Sequence, residues 1–167
     1  MDQDAKKTAL RMIPYGLYVL TAESKDGKIA AATVNWVTQT SFKPPLLVVG
    51  VKADSGAHSI IKESGTFGLN ILTKNQQSTA FAFFKPTVKD GGSINGEEYH
   101  SGNTGSPILN NSKAYVECVL VGTVEKGDHS IFIGEIIDAG VNGIPAGRPD
   151  DLILTLKDLG EKTFYGG

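Results

Sequence analysis

The stretch "TVNWVTQTSFKPP", Thr33 to Pro45, decides how the rest of the chain is read. In alternation, Thr33, Asn35, Gln39 and Ser41 share one side with only Val37 apolar among them, while Val34, Trp36, Thr38, Thr40 and Phe42 share the other. A half-buried strand separates apolar from polar residues more cleanly, because successive side chains point to opposite faces. The run therefore combines a strand-like pattern with the side chains of a binding surface. Pro44 and Pro45 punctuate it, since neither can donate a ladder hydrogen bond. The apolar run "LLVVGVK", Leu46 to Lys52, then suits a fully buried strand.

Outward from this stretch, β patterns dominate. Residues 4–12 can form a short helix, "LYVLTAE" (Leu17–Glu23) reads as a strand, and Asp26-Gly27 signals a hairpin into a strand over Ile29–Thr38. Ser55 and Gly65 bracket a helix over 55–64, a strand follows over 66–72, and "NQQSTAFAFF" suits a second helix. The Gly-, Ser- and Asn-rich segment from Val88 to Ser106 reads as a long surface loop, a lid or contact segment. "AYVECVLVGTVE" and "SIFIGEIIDAGV" flank the turn at Lys126–His129 as a long hairpin, with Ala114, Val116, Cys118, Leu120 and Val124 on one face. "LILTL" (Leu152–Leu156) reads as a final strand. The strand and helix at Leu46–Ser64 with the strand Thr66–Leu72 could form one βαβ unit, but hairpins predominate. The fold class is accordingly mainly β, a closed or partly closed antiparallel barrel with a few short helices.

A chain of 167 residues is read as one domain, 1–167. Its 16 basic and 18 acidic residues, a net charge of -2, provide no broad basic surface for nucleic acid and no polybasic membrane anchor. One cysteine excludes an internal disulfide, and three histidines with no paired cysteine point to no metal site. The start lacks the apolar stretch of a signal peptide and no run is long enough to span a bilayer, so the chain reads as soluble and cytoplasmic. Cys118, on the apolar face of its strand, reads as a core residue rather than a nucleophile.

The sequence holds no G-x-G-x-x-G, no Walker-type loop, no G-x-S-x-G elbow and no H-E-x-x-H. Dinucleotide-fold, nucleotide-hydrolysing and zinc-protease readings are disfavoured, and Asp128-His129 has no elbow to complete a triad. A flavin mononucleotide (FMN) would match the opening stretch better. Its flat ring needs apolar cover, its polar edge and ribityl chain need amides and hydroxyls, and its phosphate needs a cation or free N–H groups. Lys43, Lys52, Lys85, Lys89 and the helix start at Ser55 are candidates for the phosphate.

"TVNWVTQTSFKPPLLVVGVK", "SIIKESGTFGLNIL", "FFKP", "GSPILNNSKAYVECVL" and "EKGDHSIFIGEIIDAG" together, in that order, resemble the flavin reductase-like family of FMN-binding split-barrel proteins. The resemblance runs from about Tyr15 to the C-terminus. It implies a Greek-key split β-barrel, a homodimer, one FMN per subunit near the dimer interface, and NADH or NADPH as electron donor. It assigns Asn35, Trp36, Val37 and Thr38 to the ring and upper chain, and Gln39 and Ser41 to the chain and phosphate. Lys52 and Lys85 match cation positions of the family, His129 matches the histidine at the flavin edge where the reductant approaches, and Phe164 or Tyr165 matches the aromatic that covers the ring.

The implied function is an FMN-dependent oxidoreductase that passes electrons from NAD(P)H to flavin, ferric iron or a redox protein. Without a dinucleotide fingerprint, the nicotinamide would lie against the flavin. Trp36 stands where many free-flavin reductases carry a smaller residue, and in this the chain looks more like the flavoredoxin and rubredoxin-fused branch. One alternative is therefore an electron-transfer flavoprotein with no direct use of nicotinamide; a second is a cofactor-free barrel serving as a binding module. His58 and His100 read as surface or capping residues, and Phe81, Phe83 and Phe84 as helix packing or dimer contacts.

Overall fold

The fold was analysed in a computed structural model, which describes residues 1–166. Seven strands form one antiparallel sheet in the order β2-β1-β5-β10-β11-β4-β3. They are β1 (Tyr18–Glu23), β2 (Ile29–Val34), β3 (Val37–Phe42), β4 (Pro45–Lys52), β5 (Thr66–Ile71), β10 (Ala114–Glu125) and β11 (His129–Val141). The edge strands β2 and β3 are consecutive in sequence, joined only by Asn35 and Trp36, which belong to neither. The sheet therefore curls until its edges meet at this link, and the split of the barrel falls inside the opening stretch. The strand expected over Ile29–Thr38 is corrected to β2 and β3: the chain leaves one ladder at Val34 and joins another at Val37.

Helix α2 (Gly56–Ser64) begins with Ser55, whose hydroxyl accepts the His58 N–H at 3.2 Å, and ends at Gly65 with φ +71°. It packs against β1, β2, β4 and β5, burying Ala57 and Ile61. Successive antiparallel pairings from β5 through β10 and β11 leave β4 and β5 antiparallel to each other, so the βαβ reading is corrected. Inside the barrel, Leu20, Leu47, Val49, Val51, Phe67, Leu69, Cys118 and Phe132 form the main core. Gly134 admits the Phe67 ring, since a Cβ there would collide with it. The outer side of β1 is also covered: Leu17 and Val19 pack with Leu72, Phe83, Ile94, Leu109 and Leu154 in a second core.

That second core exists because the expected loop Val88–Ser106 is partly a sheet. β6 (Lys89–Asp90), β7 (Ser93–Ile94), β8 (Glu97–Ser101) and β9 (Pro107–Leu109) form a small antiparallel sheet. Asn95 (φ +50°) and Gly96 (φ +86°) make the tight turn between the paired Ile94 and Glu97, a conformation that suits Asn-Gly. Buried Asn70 and Thr21 tie this sheet to the barrel: the Leu109 N–H donates to Asn70 at 2.8 Å and the Thr21 hydroxyl donates to the Pro107 carbonyl at 2.6 Å.

Helix α1 (Gln3–Arg11) is capped by Asp2, which accepts the Asp4 and Ala5 N–H groups, and it buries none of its residues. Helix α3 (Gln77–Ala82) is shorter than its sequence signal. "LILTL" forms no strand. It lies between 3-10 turns at Pro149–Leu152 and Leu156–Leu159, with buried Leu154 wedged between Leu17 and Leu72 by backbone bonds of 2.8 and 3.0 Å. The register shift between Leu120 and Gly122, where Val121 is the extra residue of β10, turns Val124 outward, so it leaves the face expected of it.

The outward edge of β2 carries no strand. Thr87 instead accepts the Ala31 N–H at 3.0 Å and donates to the Ala31 carbonyl at 3.1 Å, while the Thr33 N–H donates to the Phe83 carbonyl at 3.1 Å. The Phe83–Thr87 segment thus closes the edge in place of a neighbouring strand.

Candidate functional site

At the split, a cleft with a cavity of about 250 Å3 is lined by Val34, Asn35, Gly50, Lys52, Ser55, Phe83, Phe84, His129, Leu156 and Tyr165, among others. Its inner wall comes from the buried sheet and its polar groups from places where strands end. His129 opens β11 directly opposite Lys52, which closes β4. Asn35 is buried in the link between β2 and β3, where it and Trp36 keep their backbone N–H groups outside both ladders.

Trp36 packs beside the cleft, against its lining residues Gly50, His129 and Tyr165. Its carbonyl accepts the Gly50 N–H at 2.8 Å, and its ring lies so close over Gly50 that a Cβ there would come within 3.0 Å of it. The His129 ring meets Trp36 edge-on at 4.7 Å, and the Tyr165 ring tilts against Trp36 at 5.4 Å. Tyr165 is held twice: its hydroxyl is 2.8 Å from His129 Nε2, and its carbonyl accepts from the Asn35 amide at 3.2 Å. The other ring nitrogen of His129 is 3.1 Å from the exposed carboxylate of Asp128, and this contact holds the Asp128 carboxyl below its ordinary range.

The basic end of the cleft is built on α2. The Lys52 ammonium is 3.0 Å from Asp54, and this hydrogen bond, reinforced by charge, raises the Lys52 pKa and lowers that of Asp54. Beside it, Ser55 leads a helix whose first-turn N–H groups have no acceptor within the helix. A cation and a helix N-terminus together favour an anion. At about 250 Å3 the cleft falls below the roughly 300–1,000 Å3 usual for small-molecule sites, and Tyr165 is among the residues that line it.

Of the residues expected from sequence, Asn35, Lys52, His129 and Tyr165 line this cleft and Trp36 borders it. Val37 packs against the barrel core. Thr38, Gln39 and Ser41 continue away along β3, where the Gln39 amide donates to the Ser41 carbonyl at 3.2 Å. Lys85 is exposed, just beyond the lining residues Phe83 and Phe84. Phe164 faces a different groove, with the Arg11 guanidinium 4.2 Å above its ring.

Phe83 and Phe84 were expected only as packing or contact residues. Both line the cleft, and Phe83 does so while anchoring the second core. The signal that could have found them is "FFKP" itself, where two aromatics precede a proline that cannot continue a helix. His58, expected as a surface or capping residue, reaches inward: its Nε2 is 2.9 Å from the buried Ser130 hydroxyl, and its ring tilts against Phe132.

Comparison with known proteins agrees with this architecture. The family described as "Flavin reductase like domain" matches residues 10–156. A ferric-chelate reductase (NAD(P)H) of Archaeoglobus fulgidus is 34% identical over 137 residues, covering 80% of this chain and 79% of that protein. Diflavin flavoprotein A 1 of Synechocystis is 33% identical over 142 residues, and there the match covers 84% of this chain but only 24% of the larger protein. Among solved structures, the flavin reductase component of a bacterial two-component tryptophan halogenase superposes with a TM-score of 0.72 at 27% identity, over 85% of this chain and 88% of that one. With the family match covering most of its length and an open antiparallel barrel beneath it, the chain belongs to the flavin reductase-like family.

Proposed function

We propose that this chain, acting as one domain, is an FMN-dependent oxidoreductase that takes electrons from NADH or NADPH and passes them to flavin, ferric iron or a redox protein. The observation that carries this reading is the meeting of Asn35, Lys52, His129, Tyr165 and the start of α2 in one cleft at the barrel split. Of the relatives named above, one is a ferric-chelate reductase (NAD(P)H) and one is the flavin reductase component of a two-component halogenase. The lining fits an FMN chemically: apolar walls at Val34, Phe83 and Leu156, polar groups along the Asn35-Trp36 link, and a cation beside a helix N-terminus.

When bound, the flavin supplies a ring that accepts hydride from a reduced nicotinamide and passes the electrons on. Asn35 and the free N–H groups of the link hold the polar edge of the ring, and Trp36 borders its flat face. Thr38, Gln39 and Ser41 extend the polar surface along β3, and Lys52 with Ser55 and the first turn of α2 holds the phosphate. His129 positions the donor, oriented by Asp128 on one nitrogen and Tyr165 on the other. The protein works in the cytoplasm as a homodimer, joined through the outer face of β10 and β11, where Val121, Val124, Ile131 and Ile137 are exposed.

The test is a visible spectrum of the purified protein with added FMN, followed by anaerobic addition of NADH or NADPH. Expected are a flavin spectrum that stays with the protein and its bleaching by one of the two donors. A protein that takes up no flavin would leave a cofactor-free binding module. A bound flavin that neither donor bleaches would leave an electron carrier served by other proteins. His129→Ala should lower turnover about 10- to 100-fold while FMN stays bound, the order expected when a positioning group is lost from a preorganised site. Equal loss of FMN and activity would remove the role assigned to His129.

A further inference from the structure

A second cavity of about 510 Å3 opens between the end of α1 and the C-terminal tail. Its walls include Arg11, Tyr15, Leu156, Lys157, Phe164 and Tyr165. Leu156 and Tyr165 also line the His129 cleft, so the two cavities share a wall. The groove combines two cations, Arg11 and Lys157, against one carboxylate, Glu161. Phe164 and Tyr15 bring aromatic rings to the same walls, and Phe164 lies beneath the Arg11 guanidinium at 4.2 Å.

Flat apolar rings beside a forked cation suit a ligand that is itself a flat ring carrying phosphates. We propose that this groove takes the adenosine-phosphate half of the reducing dinucleotide while its nicotinamide enters the His129 cleft past Tyr165. The inference rests on the reading of the chain as an NAD(P)H-dependent oxidoreductase and adds to it a donor subsite outside the flavin cleft. Adenosine phosphate is also part of a flavin adenine dinucleotide, but such a group would extend from the phosphate end of the flavin, at Lys52 and Ser55. The groove meets the cleft elsewhere, at Leu156 and Tyr165. Its content is therefore assigned to the donor.

The experiment compares NADH with reduced nicotinamide mononucleotide, which lacks the adenosine half, as donors to the FMN-loaded protein. The KM for NADH is expected to be about tenfold lower, the scale of one aromatic stack or one charge-assisted contact. Arg11→Ala and Phe164→Ala should each bring the ratio of the two KM values toward one. Both residues are solvent-exposed, which keeps either change compatible with folding. Equal KM values in the unaltered protein, or a ratio that survives both substitutions, overturn the proposal.

Calorimetric titration with ADP-ribose needs no hydride transfer and so separates this inference from the reading beneath it. Binding that Arg11→Ala weakens, in a protein whose flavin no donor bleaches, keeps the subsite and discards the reductase reading. No ADP-ribose binding discards the subsite even where NADH bleaches the flavin. Tighter binding of flavin adenine dinucleotide than of FMN, with that preference alone lost in Arg11→Ala, overturns the proposal by assigning the groove to the flavin.

Discussion

Cys118 sits fully buried in the barrel core with Phe67 and Phe132. Burial, with the neighbouring Glu117 charge adding to it, pushes its thiol up to about 12. A raised pKa keeps the neutral form until the pH approaches that value, and the thiolate is the reactive species. The native protein should therefore leave an aromatic disulfide reagent unreacted at mildly alkaline pH, while the denatured chain releases one equivalent, matching its single cysteine. Rapid labelling of the native protein would contradict the buried placement. The core role of Cys118 was legible because an apolar alternation surrounds it. His58 was not, because its inward reach depends on Ser130, 72 residues away in sequence. That His129 and Asn35 would share one cleft was expected only through the family resemblance, since a histidine after a turn and an amide in a strand have bland readings in isolation.

Among the elements, the Gly102–Ser106 turn shows what short-range signals miss. It is fixed by the carboxylate of Glu117 on β10, which is buried and accepts the Asn103 N–H at 2.9 Å, the Thr104 N–H at 2.7 Å and the Thr104 hydroxyl at 2.6 Å. Glu117→Gln keeps the shape but replaces one accepting oxygen with a donor, turning an N–H toward other N–H groups. A loss of about 1–3 kcal/mol in urea unfolding is expected, the cost of a buried polar group left without its partner. An unchanged midpoint would mean that the turn does not depend on this anchor. Glycine and serine content marked the surrounding segment as a loop, yet Asn95-Gly96 carried a hairpin signal within it. Strands of two residues, such as β6 and β7, offer too little alternation for a period to be read. The long hairpin of β10 and β11 was legible for the opposite reason, and only its bulges escaped, because they depend on pairing rather than pattern.

For the whole molecule, the outer face of β10 and β11 bears more apolar side chains than a solvated surface requires. Val124 pairs with Ile131 across the hairpin, and Val121 and Ile137 are also exposed. If the protein associates through this face, Ile131→Lys should convert the dimer to monomer in sedimentation velocity with an unchanged far-ultraviolet spectrum. A dimer that survives the charge would move the interface elsewhere. The barrel class was legible from the run of hairpins. The position of its split was not, because only the pairing of β2 with β1 and of β3 with β4 shows that the ladder ends at Asn35 and Trp36.

An open barrel retains two edges, and an uncovered edge invites a strand from another chain. On β2 that invitation is withdrawn by Phe83 and Thr87, which occupy its outward hydrogen-bonding groups. The same short segment supplies the aromatic wall of the cleft through Phe83 and Phe84. Protection of the sheet edge and the wall of the cleft therefore draw on one piece of backbone. Changes at Phe83 or Thr87 that loosen this cover expose a template for aggregation as they open the site, which limits how far that wall can be reshaped to admit a larger ligand.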